Sequence, residues 1–188
     1  MAGQPAERDL VIRPRRTEDL DDAAEALVAI HASDGYPVEG VDDPHGWLDS
    51  PKVIRAWIAA LDGRVVGHVS INRPNGEEAV ALWADQAGVP DTQIAVLARL
   101  FVLPEARGND VGGRLMNAAT TSAQMDGLRL VLDVMAKDAA AIRLYERLGW
   151  SHIGTTSHAY GDGQSIEAIC FVSPEPAQTS SGSPERSE

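Results

Sequence analysis

Two periodicities alternate along the chain. Leu10 to Arg13 reads as a short strand, and Leu20, Ala24, Leu27, Val28 and His31 then follow at helical spacing. Thr17 offers that helix an N-cap, with Glu18 and Asp19 as acids near its start. From Ser33 to Pro51 the pattern breaks at Gly35, Pro37, Gly40, Pro44 and Gly46, which predicts a long loop with one helical turn near His45 to Leu48. Val53 to Leu61 and Arg64 to Asn72 flank Asp62-Gly63 and read as a hairpin. Glu77 to Gln86 is helical until Gly88-Val89-Pro90. Ile94 to Leu103 is an apolar run ending at Pro104, and Val111 to Gln124 is an amphipathic helix. Leu128 to Met135 reads as a buried strand. Asp138 to Leu148 reads as a helix stopped by Gly149. Ser151 to Thr155 and Gln164 to Val172 are strands around a Gly161-Asp162-Gly163 turn. The element order predicts a mixed α/β sheet with a strand-loop-helix unit in its middle.

Composition sets the limits. The 188 residues suit one domain, over 10–172, between a flexible leader at 1–9 and a Ser/Pro/Glu-rich tail at 173–188 expected to be disordered. Cys170 is the only cysteine, so no intrachain disulfide forms, and no metal site is expected. Neither a signal-like start nor a membrane-length apolar run is present, which makes a cytoplasmic protein with no membrane partner the default. There are 28 Asp and Glu against 16 Lys and Arg, a net charge of −12 that argues against a nucleic-acid partner. Residues 107–150 depart from this, with Arg107, Arg114, Arg129, Lys137, Arg143 and Arg147 set against five acids. That block reads either as chance clustering or as a local anion pocket.

The chemistry concentrates where the apolar strand meets the helix. The run Arg107-Gly108-Asn109-Asp110-Val111-Gly112-Gly113 joins them. A strand feeding a Gly-rich loop and then a helix aims unpaired amides and a helix dipole at one point, which favours an anion. Gly108, Gly112 and Gly113 leave the approach open. No Gly-Lys-Ser/Thr follows, so this is not a Walker loop, and the Gly-x-Gly-x-x-Gly spacing of a dinucleotide fingerprint is absent.

These residues resemble the GNAT N-acetyltransferase superfamily. Its pyrophosphate loop reads Arg/Gln-x-x-Gly-x-Gly/Ala after a strand ending in Val-x-Pro, and Val102-Leu103-Pro104 followed by Arg107 to Gly112 stands in that place. A second block, Asn-x-x-Ala-x-x-Leu-Tyr-x-x-x-Gly-Phe, has its counterpart in Asp138, Ala141, Leu144, Tyr145, Gly149 and Trp150. The resemblance covers roughly 10–172. It implies a mostly antiparallel central sheet with one splayed parallel strand pair and helices on both faces. It further implies acetyl-CoA as cosubstrate, an N-acetyltransferase activity and a primary amine as acceptor. Arg107, Gly108, Asn109, Asp110, Val111, Gly112 and Gly113 would hold the pyrophosphate. Phe101 and Val102 would pair with the pantetheine arm, and Asp138, Ala141 and Tyr145 would complete the cosubstrate site. Tyr145 would assist departure of the thiolate, a phenol of pKa ~10 serving a thiol of pKa ~8.5. The alternative for Tyr145 is a core aromatic.

Three departures stand out. Asp110 occupies a glycine position of the loop, Asp138 replaces asparagine, and the strand before the loop, where many relatives carry a glutamate, has no carboxylate over Ile94 to Ala98 and is followed by Arg99. The candidate bases elsewhere are His31, Asp34, Glu39, His45, His68 and Asp85, with structural roles favoured for His31 and His68. Arg129, Arg143 and Arg147 read as solvated charges, with contact to the CoA 3′-phosphate as the alternative for Arg143, and Trp47 reads equally as pocket wall or core cover. The acceptor site is expected between Ser33–Pro51, Glu77–Asp91 and Ser157–Gly163. Asp34, Glu39, Asp42, Asp43 and Asp49 suit a cationic acceptor, or equally a solvated loop. A non-catalytic acyl-CoA-binding or regulatory module is the rival reading. The oligomeric state stays open, a homodimer included.

Overall fold

The computed structural model describes residues 9–38, 40–160 and 164–176. Its strands are β1 (Leu10–Pro14), β2 (Val53–Leu61), β3 (Arg64–Asn72), β4 (Ile94–Val102), β5 (Arg129–Met135), β6 (Ser151–Tyr160) and β7 (Gln164–Val172). They form a seven-stranded sheet in the order β1-β2-β3-β4-β5-β7-β6. Among the described residues only β4 and β5 pair in parallel. The helices are α1 (Leu20–Asp34), α2 (Pro44–Leu48), α3 (Glu78–Ala87), α4 (Val111–Met125) and α5 (Ala139–Arg147).

The apolar run of β4 is continuous because both of its faces are buried. Ala95 and Leu97 join the core formed by Leu27 and Ile30 of α1 with Leu115, Met116 and Ala119 of α4. Ile94 and Val96 face the other way, into a smaller core with Ala79 and Val80 of α3, Val131 and Cys170. Each fully buried Leu or Ile contributes about 1.5–3 kcal/mol, so the helices that frame the site are held by packing on both faces of the sheet. The β2–β3 hairpin follows its sequence pattern, with Asp62 (φ 51°) and Gly63 (φ 82°) both left-handed as a two-residue turn demands.

The sequence expectations need four corrections. Thr17 does not cap α1; Thr17–Asp19 is a 3-10 turn and the helix begins at Leu20. Asp19 turns back to accept from both Arg13 terminal nitrogens at 2.6 Å and from the Arg16 amide at 2.7 Å. This bidentate pair, with the Arg13 hydrogen bond as the main cause, holds the Asp19 carboxyl below its usual range. Second, β6 runs to Tyr160 rather than Thr155, because its backbone stays in register with β7 as far as Tyr160↔Gln164. Third, Ser173 belongs to the folded unit, since its amide donates to the Leu130 carbonyl at 2.8 Å and its hydroxyl accepts from the Leu130 amide at 3.0 Å. Fourth, Asp9 is tied down too, exchanging bonds with Asp62 at 3.0 and 2.9 Å. The rest of the leader, residues 177–188, Glu39 and the Gly161–Gly163 turn lie outside the described residues. Among the described residues, no helix is long and apolar enough to cross a membrane.

Candidate active site

The site begins where β4 and β5 part. They pair only at Ile94↔Arg129, Ala95↔Leu130 and Val96↔Val131, although β4 runs on to Val102 and β5 to Met135. A bulge lies just beyond the last of these pairs. Against β3 the register passes from Ala98↔Ser70 to Phe101↔His68, so Arg99 and Leu100 together oppose Val69. Arg99 carries the extra turn in a left-handed conformation, φ 56°. A bulge bends its strand, and this one lies within the length of β4 that has left β5.

The bulge is braced from β3. The Ser70 hydroxyl donates to the Ala98 carbonyl at 3.2 Å, and His68 Nδ1 donates to the Arg99 carbonyl at 3.0 Å. With the proton on Nδ1, His68 Nε2 accepts from Arg15 Nη1 at 3.4 Å. The ring is fully buried and stacks on Phe101 at 5.6 Å. Burial first, then the nearby Arg15 and Arg99 charges, outweigh that carbonyl bond and push the His68 pKa down to about 3. His68 is therefore a neutral strut, which removes it as a candidate base.

The loop leaves β4 through a 3-10 turn at Pro104–Ala106 and enters α4 at Val111. Its side chains are spent on shaping it. Arg107 donates through Nε to the Val102 carbonyl at 3.1 Å and forms an ion pair with Asp34 at the end of α1. The Arg107 bond, then that of Ser33, holds the Asp34 carboxyl below its usual range. Asn109 donates to the Ala106 carbonyl at 3.2 Å. Asp110 takes the left-handed conformation (φ 55°), one that aspartate tolerates better than most residues. Its carboxylate folds over the first helical turn, so that a Cβ on Gly113 would meet it at 2.5 Å, and Arg147 lies 3.4 Å away. The first helical bond is Arg114 N–H to the Asp110 carbonyl at 3.0 Å. The amides at 111–113 thus precede the helix ladder and stay available to an anion. Gly112 has a packing reason as well: a Cβ there would sit 3.2 Å from Leu144 and 3.9 Å from Val102. The ends of β4, α4 and α5 meet at that point.

On α5, the Asp138 carboxylate accepts from the Ala141 amide at 3.1 Å, which makes it the helix N-cap. The acceptor atom kept from asparagine is used here, inside the protein. Tyr145 is buried against Phe171 and Trp150, with ring centroids at 5.7 and 6.2 Å. Burial raises its pKa well above the ordinary phenol value, helped by the electrostatic influence of Tyr36, Asp138 and Asp133. Tyr145 therefore stays protonated, able to donate but not to act as a base.

Arg99 anchors a cluster assembled from distant segments. Its guanidinium lies over the Trp47 ring at 5.2 Å and donates to Ser50 Oγ at 3.0 Å. It also donates to the Asn72 amide oxygen at 3.2 Å, with the Asn72 nitrogen turned to Ser70 Oγ. Trp47 packs edge-on against Tyr36 at 5.9 Å. Arg15, beside it, donates to the Leu48 carbonyl at 2.7 Å and pairs with Asp49. Sequence reasoning singled out neither Arg15 nor Asn72, and it noted Arg99 only as the residue that follows a strand segment without a carboxylate.

The acids expected to attract a cationic acceptor are largely occupied. Asp34 pairs with Arg107, Asp49 with Arg15, and Asp43 accepts from the Gly46 amide at 2.9 Å as the cap of α2. Among the other base candidates, His45 is exposed and bonded to Asp21 at 2.9 Å, and Asp85 is exposed on α3. His31 Nδ1 is buried without a hydrogen-bond partner among the described residues. Arg129 is not a solvated charge: it lies over Trp83 at 5.0 Å and donates to the Ser173 carbonyl at 2.6 Å.

A model described as the acetyltransferase (GNAT) family matches residues 20–150. No curated protein matches the chain by sequence. Solved structures do. An N-acetyltransferase from Staphylococcus aureus Mu50 superposes with a TM-score of 0.67 at 17% identity, over 87% of this chain and 97% of that one. The ribosomal-protein-S18-alanine N-acetyltransferase from Escherichia coli does so at 0.64 and 20%, over 90% and 98%. A putative acetyltransferase from Salmonella typhimurium, determined with its cofactor acetyl-CoA, gives 0.65 and 15%, over 87% and 92%. At these identities the likeness is one of fold.

Proposed function

The chain belongs to the acetyltransferase (GNAT) family, and from that premise we propose that it transfers acetyl from acetyl-CoA to a primary amine of a small molecule or peptide. Attack is direct, with both substrates bound at the β4–β5 splay. The observation that carries this reading is what meets at one strand end: the unpaired length of β4, the open first turn of α4, and, through Leu144 beside Gly112, the helix α5 that carries the buried Tyr145. The acetyl-CoA held by the Salmonella relative supports the choice of cosubstrate.

The residues fit such a molecule. An unpaired strand edge offers backbone donors and acceptors to the amides of an extended arm, as an added strand would. The amides at 111–113 and the helix dipole offer a phosphate their partial positive charge. Acetyl-CoA supplies an activated acyl group and a thiol leaving group. The chain's part is to bind it through Phe101, Val102 and residues 107–113, with Ala141 on the α5 side. The Tyr145 hydroxyl, kept protonated by burial, donates a hydrogen bond to the departing thiolate. The Val102 amide is positioned by the Arg107 bond to the adjoining carbonyl and serves as a donor to the carbonyl oxygen that becomes charged. His68 accepts no proton from the amine, since burial keeps it neutral and Arg15 occupies its lone pair. The acceptor reacts as the neutral amine and gives up its second proton through water.

The test is thiol release from acetyl-CoA with a panel of amines, together with product mass. Equal amounts of free CoA and acetylated amine are expected. Tight CoA binding with no thiol released for any amine would assign the chain to the rival class of acyl-CoA-binding modules.

A further inference from the structure

Two guanidiniums share the Arg99 cluster, but one carboxylate serves them. Arg15 takes Asp49, and the nearby His68 is neutral. Arg99 has an uncharged amide oxygen, an uncharged hydroxyl and the face of an indole. Among the described residues it has no carboxylate partner, although it is half-buried and burial lowers its pKa. Among the described residues the cluster is thus one positive charge in surplus. A half-buried cation normally has an anionic partner, because its desolvation is otherwise uncompensated.

The position is as informative as the charge. Arg99 is the bulge residue within the unpaired length of β4, in a left-handed position that Gly, Asn or Asp usually occupy. The bulge turns its side chain toward the α1–α2 segment rather than into the sheet: Trp47 lies below the guanidinium, and Ser50 and Asn72 take one hydrogen bond each. A guanidinium has five N–H donors in a planar fork, so donors remain for a second planar partner. In the chain, Arg99 stands two residues before Phe101 and three before Val102, the positions assigned to the cosubstrate arm.

We infer that Arg99 receives the carboxylate of the acceptor, so that the substrate class is a molecule carrying both an amine and a carboxylate, an amino acid or a small derivative of one. This rests on the splay being the acetyl-transfer site. A single carboxylate matches the single surplus charge; a phosphomonoester would bring nearly two negative charges to one cation. A polyamine would place cations beside an unpaired Arg99, with Asp34, Asp43 and Asp49 already engaged.

The experiment compares kcat/KM for the common amino acids, each against its own α-amide, in the wild type, Arg99→Lys and Arg99→Asn. Asparagine tolerates the left-handed backbone, so Arg99→Asn removes the charge without adding strain. The best amino acid is expected to exceed its amide by roughly tenfold or more, the size of one charge-assisted bond. That ratio falls toward one in Arg99→Asn and is partly kept in Arg99→Lys, with the loss falling on the acceptor KM. Amides reacting as well as the acids, or a ratio unchanged in Arg99→Asn, would overturn the inference. If no amine releases thiol, the acetyl-transfer reading fails, and calorimetric titration of the amino acids decides the carboxylate site alone. Binding to the wild type that is lost in Arg99→Asn upholds it; no binding to the wild type, or equal binding to both, refutes it.

Discussion

Asp110 and Arg147 face each other at 3.4 Å, the carboxylate folded over the first turn of α4 and the guanidinium reaching it from the end of α5. A negative charge thus stands at a helix N-terminus where a phosphate would bind, partly offset by a solvent-exposed cation. Asp110→Gly keeps the left-handed backbone, removes the carboxylate and frees Arg147. Acetyl-CoA affinity should rise about two- to fivefold, in keeping with 0.3–1 kcal/mol for a charge at a helix end. Calorimetric titration with acetyl-CoA reads this directly, and weaker binding in the variant would mean that the carboxylate organises the loop.

His68 makes the fold acid-sensitive in a defined window. Its folded pKa, about 3, lies below the unfolded value of 6.5, so between these pH values the unfolded chain binds more protons. Stability is therefore lost as pH falls from 6.5 toward 3, with a slope approaching about 1.4 kcal/mol per pH unit from this group alone. Asp19 and Asp34 titrate lower, because their carboxyl pKa values are depressed by arginine partners. In urea titrations from pH 7 to pH 4.5, His68→Gln should flatten the slope whatever it does to the absolute stability. An unchanged slope would place the proton uptake elsewhere.

The rate should carry the acceptor's ionisation rather than the enzyme's. With His68 neutral and committed to Arg15, kcat/KM is expected to rise with pH through the pKa of the amine itself. Two acceptors differing in amine pKa should then give profiles displaced by that difference. Coincident profiles would show that an enzyme group takes the proton.

What the sequence reveals and what it hides divide along physical lines. The Arg107–Gly113 loop, α4 and α5 are legible because glycine, proline and helical periodicity act locally, whereas Tyr145 is singled out only by the family resemblance. The bulge is not: Leu97-Ala98-Arg99-Leu100-Phe101 contains no glycine or proline to mark it, and the register slip exists only against β3. The splay, which begins after Val96, is equally silent. Arg15, Trp47, Ser50, Asn72 and Arg99 meet from segments far apart in the chain, so no spacing announces them. The roles of the acids are hidden for the same reason, as Asp34 and Asp49 gain their partners only through tertiary contact.

Tyr145 tests the account most directly. It is buried, protonated and set on the helix that meets the ends of β4 and α4. Tyr145→Phe removes one hydroxyl and keeps the ring packing on Phe171 and Trp150. The expected result is a fall in kcat of about a hundredfold or more, with the acetyl-CoA dissociation constant within about twofold of the wild type. An unchanged kcat would leave Tyr145 as a core aromatic and contradict the assignment of a proton donor at the splay.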